Sequence, residues 1–213
     1  MDLAVVLGLW CTALSVSFIW PQVIHVYRHH TVEGLSPTGT LHGASGSVLW
    51  CLYGIARGNG PLIISNGLIV LAMGLIAAAQ VRHRVLALRT LVLAAVGAVT
   101  LAAVALAISP ALLGWTAIVV GATSILPQTW HTLRAPDLSG VSTSTYGLLI
   151  LTACSWALYG IVIGDPLVTL PNLIVIPAAI VIEVKALAFQ RRLADDGVDQ
   201  LDGRAELAAV IAD

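Results

Sequence analysis

The chain carries one unusual pattern twice. Trp20–Arg28 reads WPQVIHVYR, and Leu126–Arg134 reads LPQTWHTLR. Each copy puts a proline and a glutamine inside an apolar run and follows them with a histidine and an arginine. Pro21 and Pro127 are 106 positions apart (21 to 127), and the same offset links Gln22 to Gln128, Gly34 to Gly140, Trp50 to Trp156, Tyr53 to Tyr159, Gly58 to Gly164 and Asn66 to Asn172. No gap is needed between Pro21 and Asn66. Matching Leu or Val would mean little here, but matching Pro, Gln, Trp and Asn mark a duplicated structural unit. Whatever the chain folds into must contain that unit twice.

The unit is a membrane unit. Hydrophobic residues make up 58% of the 213 residues and charged residues 10%, against about 25% charged in soluble domains. A span needs roughly 20 mostly apolar residues. Seven fit, at 3–27, 37–57, 60–81, 87–108, 110–133, 143–163 and 166–188, separated by short polar or Gly/Pro-containing breaks. The first run lacks a basic leader and has an internal counterpart, so it is expected to be a span and not a signal peptide. Three spans per copy is an odd number, so two directly joined copies would be inverted. The fourth span turns the chain once more and makes them parallel. Positive charges set the direction. With the N-terminus outside, Arg28, Arg82, Arg84, Arg89, Arg134, Lys185, Arg191, Arg192 and Arg204 fall on the cytoplasmic side and Arg57 alone falls outside.

These readings divide the chain into a first three-helix bundle (1–82), a linker helix (83–109), a second three-helix bundle (110–190) and an acidic, solvated cytoplasmic tail (191–213). Several functions are excluded. A net charge of −1 provides no basic surface for nucleic acid. There is no nucleotide loop or nucleophile motif, no enzymatic activity is expected, and no cofactor is implied. His29, His30 and Glu33 share a short loop without ligand geometry, so no metal site is expected. Cys11, Cys51 and Cys154 sit in apolar runs and read as small buried hydrophobes. Arg outnumbers Lys nine to one, which points to a GC-rich bacterial gene.

This arrangement resembles the SWEET sugar transporters. The resemblance rests on two PQ dipeptides in a 3+1+3 layout, TVEGLS after the first, and a Trp and an Asn sixteen residues apart in each copy. The broader group is the PQ-loop superfamily, whose half-size semiSWEETs carry one such unit. The resemblance covers residues 3 to about 190 and implies an all-α integral membrane fold of seven transmembrane helices: two parallel three-helix PQ-loop bundles joined by an inverting linker helix.

Depth arithmetic at ~1.5 Å per residue places Trp50 ~10 Å and Asn66 ~9 Å below the outer ends of their spans. Trp156 and Asn172 are expected at the same level. An indole face packs on the C–H face of a sugar ring, and a carboxamide both donates to and accepts from hydroxyls. A lone membrane Trp is most often an interfacial anchor, and a lone Asn is often helix–helix glue. Four such residues in one duplicated layer favour a substrate site, and the resemblance implies the same set. Ser47 lies on the Trp50 face with Gly43 and Gly46, which suggests more room on the first-copy side.

Arg57 and Asp165 follow spans 2 and 6 and are expected to face each other across the axis, with Tyr53 and Tyr159 one turn deeper. The resemblance implies an outer gate of tyrosines and an Arg–Asp pair. Position 163, matching Arg57, is Ile, and position 59, matching Asp165, is Asn, so one ion pair at most can form. Pro21 and Pro127 lie on the cytoplasmic side of the Trp–Asn layer, where their kinks can act as inner-gate hinges or serve packing. Gln22 can offer a carboxamide to the carbonyl freed by Pro21, and Gln128 belongs with Pro127 to the matching hinge. No Asp or Glu lies deep in a span. Glu183 and Lys185 read as an interfacial pair and His42 as a packing or interfacial histidine.

The leading expectation is a facilitative sugar uniporter in the plasma membrane, with a mono- or disaccharide as substrate and the bilayer as surroundings. Two fused copies can suffice as a monomer, with a homo-oligomer as the alternative. The rival readings are a PQ-loop transporter of another small solute, such as an amino acid moved with protons, and a non-transporting PQ-loop receptor.

Overall fold

The computed structural model describes residues 2–123, 125–135, 138 and 141–212, and for Ala122, Pro127, Gln128, His131 and residues 194–212 the backbone alone. The described elements are eight helices: α1 (Leu3–His29), α2 (Pro37–Arg57), α3 (Gly60–Arg82), α4 (Leu88–Ile108), α5 (Pro110–Ala122), α6 (Leu126–Arg134), α7 (Thr143–Val162) and α8 (Pro166–Ala212).

Their boundaries follow from local chemistry. Asp2, Ser36, Asn59, Ser109 and Ser142 cap the starts of α1, α2, α3, α5 and α7, each side chain accepting from a backbone N–H of the first turn. Pro37, Pro61 and Pro110 occupy first-turn positions that lack an intrahelical acceptor in any case. The turn after α2 recurs after α7. Gly58 (φ 63°) and Gly164 (φ 67°) adopt the left-handed conformation that ends a helix without a Cβ penalty. The next amide then reaches back, Asn59 N to Gly54 O at 2.8 Å and Asp165 N to Gly160 O at 2.9 Å. These two turns fix where Asn59 and Asp165 stand.

In the first unit α3 packs between α1 and α2; in the second, α8 packs against α5, α6 and α7. Across the units α1 meets α7 and α2 meets α5, while α4 lies on α2 and α5. The expected 3+1+3 architecture is therefore present. Five helices are each long and apolar enough to cross a membrane: α1, α3, α4, α7 and α8 up to Leu193. α2 is long enough at 21 residues but carries Gly, Ser, Thr and His, in keeping with its place among α3, α4 and α5.

Two expectations need correction. The fifth span is not one helix: α5 ends at Ala122 and α6 starts at Leu126. Pro127 lacks the N–H that would bond back to residue 123, so it suits a helix start. α1, which carries Pro21 at the matching position, stays continuous through Leu3–His29. α8 runs on as one helix from Pro166 to Ala212, through the segment read as the tail. Its acidic side chains lie outside the described residues. Cys11 is buried and Cys51 partly so, but Cys154 is exposed on α7.

The apolar core is unevenly shared. One cluster joins both units and α4 at the end where α2 turns into α3 and α7 into α8; it includes Cys11, Leu49, Tyr53, Ala105, Leu113, Tyr159 and Val168. The clusters toward the other end each belong to a single unit, Ile19–Val23–Ala72–Ile76 in the first and Ile125–Ala178–Ala179–Ile182 in the second.

Close backbone approach at Gly160 supports the α7–α8 turn. A Cβ there would overlap Thr169 Oγ1 and lie 2.8 Å from Thr169 N, and backbone cannot give way. Gly160→Ala should therefore destabilise by ~1–3 kcal/mol, read as a lowered thermal midpoint in detergent. Gly74→Ala, where a Cβ meets nothing within 4 Å, should leave the midpoint unchanged or raised. Equal midpoints for the two variants would refute the packing account.

Candidate functional site

The two turns place Asn59 and Asp165 at the starts of α3 and α8. Asn59 Oδ1 accepts from Leu62 N at 3.1 Å, and Asp165 Oδ1 accepts from Leu167 N at 3.1 Å. Each also accepts from a tyrosine of the opposite unit. Tyr53 OH donates to Asp165 (2.8 Å to Oδ2, 3.0 Å to Oδ1), and Tyr159 OH donates to Asn59 Oδ1 at 3.0 Å. Tyr53 pairs with position 165 and Tyr159 with position 59, the reciprocal exchange expected of a two-fold interface. The two copies are therefore parallel, related by an axis along the helices. Tyr53 is 1% exposed, Tyr159 4% and Asp165 6%. Arg57 Nε stands 3.7 Å from Asp165 Oδ2 and is half-exposed. The expected facing of Arg57 and Asp165 is present, but the buried bond is the one made by Tyr53.

One turn further in, Trp50 and Trp156 meet these tyrosines edge to face, at 5.7 and 5.5 Å between ring centroids. Beyond them is a cavity of about 200 Å³ lined by Trp50, Asn66, Trp156, Asn172, Gly121 and Pro171 among others. The structure thus brings the four expected residues around one space. Each asparagine is held by its own helix: Asn66 Nδ2 donates to Leu62 O at 3.0 Å and Asn172 Nδ2 to Val168 O at 2.9 Å. A carbonyl can only accept, so the amide nitrogens are fixed toward the helix and the Oδ1 atoms are left as acceptors. Among the described residues no charged side chain lines the cavity.

The PQ loop repeat profile matches residues 3–63 and 110–169, more than half of the chain. The chain belongs to the PQ-loop repeat family. Its fold is that of a eukaryotic SWEET transporter, matched with a TM-score of 0.73 at 13% identity over 89% of this chain and 100% of that one. No curated protein sequence matches it.

The PQ dipeptide of the first unit does not line the cavity. Pro21 and Gln22 are exposed on α1, and Gln22 makes no hydrogen bond among the described residues, so it does not satisfy a freed carbonyl. The side chains of Pro127 and Gln128 lie outside the described residues. Ser47 is buried but does not line the cavity. Of the small residues near it, Gly43 faces the Met73 side chain and Gly46 faces α5. A Cβ at Gly43 would meet Met73 Cε at 2.9 Å, and one at Gly46 would come within 4.0 Å of Gly121 Cα.

Glu183 and Lys185 do not pair, since residues two apart on a helix point to different sides. Lys185 Nζ instead donates to Thr132 O and Leu133 O at 3.1 and 2.8 Å, where a cation complements the C-terminal carbonyls of α6. His42 is a packing histidine: its Nε2 lies 2.7 Å from Val120 O on α5. Sequence reasoning missed the tyrosine acceptors. The usable signal was that positions 59 and 165 are both helix N-cap residues.

Substitutions should separate the buried bond from the exposed pair. Asp165→Ala leaves the Tyr53 hydroxyl buried without an acceptor, at a cost of ~1–3 kcal/mol. Arg57→Ala removes a pair worth about 0–1 kcal/mol. With the native cysteines replaced and Val168→Cys as reporter, an impermeant maleimide applied at the α2–α3 end should label Asp165→Ala on the order of tenfold faster than the parent, and Arg57→Ala by much less. Comparable acceleration by the two changes would contradict the assignment.

Proposed function

We propose that the protein is a facilitative transporter that carries a neutral monosaccharide by alternating access. The observation that supports this best is the cavity itself. It combines two indoles with two carboxamides and has no charged lining residue among the described residues. Hydroxyl groups of a neutral polyol suit the carboxamide oxygens, and the pyranose C–H face suits the indoles. An amino acid would bring two unpaired charges into the same space, which is costly without partners. The volume of about 200 Å³ lies below the roughly 300–1,000 Å³ of pockets that hold drug-sized ligands, which favours one ring over two.

In this reading the Tyr53–Asp165 and Tyr159–Asn59 bonds, with Arg57, form the extracellular gate, closed in this conformation. Pro21–Gln22 and Pro127–Gln128 mark the cytoplasmic hinges. The protein sits in a bacterial plasma membrane with its N-terminus outside, and one chain with its two units suffices for the pathway. Among the described residues no carboxylate lines the cavity itself, and in this reading the flux runs without a proton gradient. Facilitated diffusion calls for weak binding. A Kd near 1 mM corresponds to about −4.1 kcal/mol, within reach of a few stacking and hydroxyl contacts.

Uptake of radiolabelled monosaccharides, disaccharides and amino acids into proteoliposomes tests this. Saturable monosaccharide flux is expected, unchanged by a pH gradient, with Asn66→Ala and Asn172→Ala each raising the half-saturation concentration about fivefold or more. Pro21→Ala and Pro127→Ala should slow flux while sparing half-saturation. Flux only of amino acids, or flux that requires the gradient, would overturn the proposal.

A further inference from the structure

The two cavity tryptophans are related by the repeat but differ in their partners. Trp156 on α7 faces Ser15 on α1, and Trp50 on α2 faces Gly121 on α5. Positions 15 and 121 are themselves a matching pair at the 106-residue offset (15 to 121). Trp156 Nε1 donates to Ser15 Oγ at 3.1 Å, and that hydroxyl in turn donates to Cys11 O at 2.9 Å. The Trp156 N–H is therefore occupied. The same face is pinned again by Trp10 Nε1, which donates to Ser155 Oγ at 3.1 Å. On the other side, glycine offers no hydroxyl, and the Trp50 N–H makes no hydrogen bond among the described residues while its ring lines the cavity.

We infer that Trp50, and not Trp156, is the indole that donates a hydrogen bond to the bound solute, and that Gly121 is the specificity-determining residue that leaves that indole available to do so. The identity of the solute rests on the function proposed above; the inequality of the two indoles does not. A Cβ at position 121 would lie 3.4 Å from Trp50 Nε1, ordinary contact, so a serine fits and brings its hydroxyl within reach of that N–H. Glycine at 121 thus has a chemical consequence beyond its size.

The position of Gly121 is itself held. The neighbouring Val120 carbonyl accepts from His42 Nε2–H at 2.7 Å, and Gly46, one turn along α2 from His42, faces Val120 and Gly121. The repeat counterpart of His42 is Leu148, which cannot make this bond. His42 is a positioning residue: it seats the Gly121 backbone beside Trp50. The cavity then presents one indole donor on the first-unit side and carboxamide acceptors, Asn66 Oδ1 and Asn172 Oδ1, in both units. A solute within it is oriented by an indole donor that its two-fold surroundings supply only once.

The test has two arms. In the first, indole-¹⁵N-labelled protein in nanodiscs is followed by NMR without solute, with the two resonances assigned through Trp50→Phe and Trp156→Phe. The Trp50 indole proton should exchange with water at least tenfold faster than that of Trp156. Gly121→Ser should slow it to the Trp156 rate, and Ser15→Ala should speed Trp156. His42→Leu should shift the Trp50 resonance, with His42→Gln restoring it. Equal exchange in the parent protein, or no effect of Gly121→Ser, would overturn the inference whether or not a sugar is carried.

In the second arm, single-deoxy analogues of the carried monosaccharide are compared. One position should cost about fivefold in half-saturation in the parent, and that penalty should vanish in Trp50→Phe and persist in Trp156→Phe. The reverse pattern would overturn the inference. If no monosaccharide is carried, the proposed function fails and the exchange arm still decides the matter.

Discussion

Two hydrogen bonds exchanged between the units, Tyr53 to Asp165 and Tyr159 to Asn59, organise the rest of this structure. They stand on the turns after α2 and α7, whose glycines end each helix in the same left-handed conformation. Each acceptor also caps the helix that follows, so capping and inter-unit bonding share one side chain. The aromatic stack beneath, Tyr53 on Trp50 and Tyr159 on Trp156, carries this order to the wall of the cavity. Burial makes these bonds matter, because an unpaired hydroxyl in a site excluded from water costs far more than a paired one gains.

The uneven core fits this picture. Apolar packing joins the two units around the exchanged tyrosines, whereas the clusters at the other end stay within one unit each. A pair of rigid bundles tied at one end and separately packed at the other is suited to rocking about a central site. The units are nonetheless not identical. α1 is continuous where α5 and α6 are separate helices, Ser15 faces Gly121 across the repeat, and His42 faces Leu148. Duplication supplies the architecture, and these differences give the cavity a direction.

Much of this was legible in the sequence because the repeat supplied second copies of several rare residues, Pro21, Gln22, Trp50 and Asn66 among them. The 3+1+3 layout and the parallel relation of the copies follow from hydropathy and span count, and the meeting of Trp50, Asn66, Trp156 and Asn172 follows from offset and depth. What depends on lateral packing did not follow. Whether small residues such as Gly43 and Gly46 open a space or admit a neighbour is decided by Met73 and α5, which the spacing on α2 cannot reveal. The partner of Lys185 is a helix terminus some fifty residues away, and a nearby carboxylate looked equally suitable. The break before Leu126 was hidden because the same PQ pair is accommodated without a break in α1.

The central claim is that closure at the tyrosine end and opening at the PQ end alternate around the cavity. Electron–electron resonance distances test it directly, with one spin-label pair at Gly58 and Gly164 and another at Arg28 and Arg134 in separate samples. Across conditions that favour the two access states, with and without saturating monosaccharide, the two distances should change in opposite directions. Distances that widen together, or a tyrosine-end distance that never changes, would contradict the account.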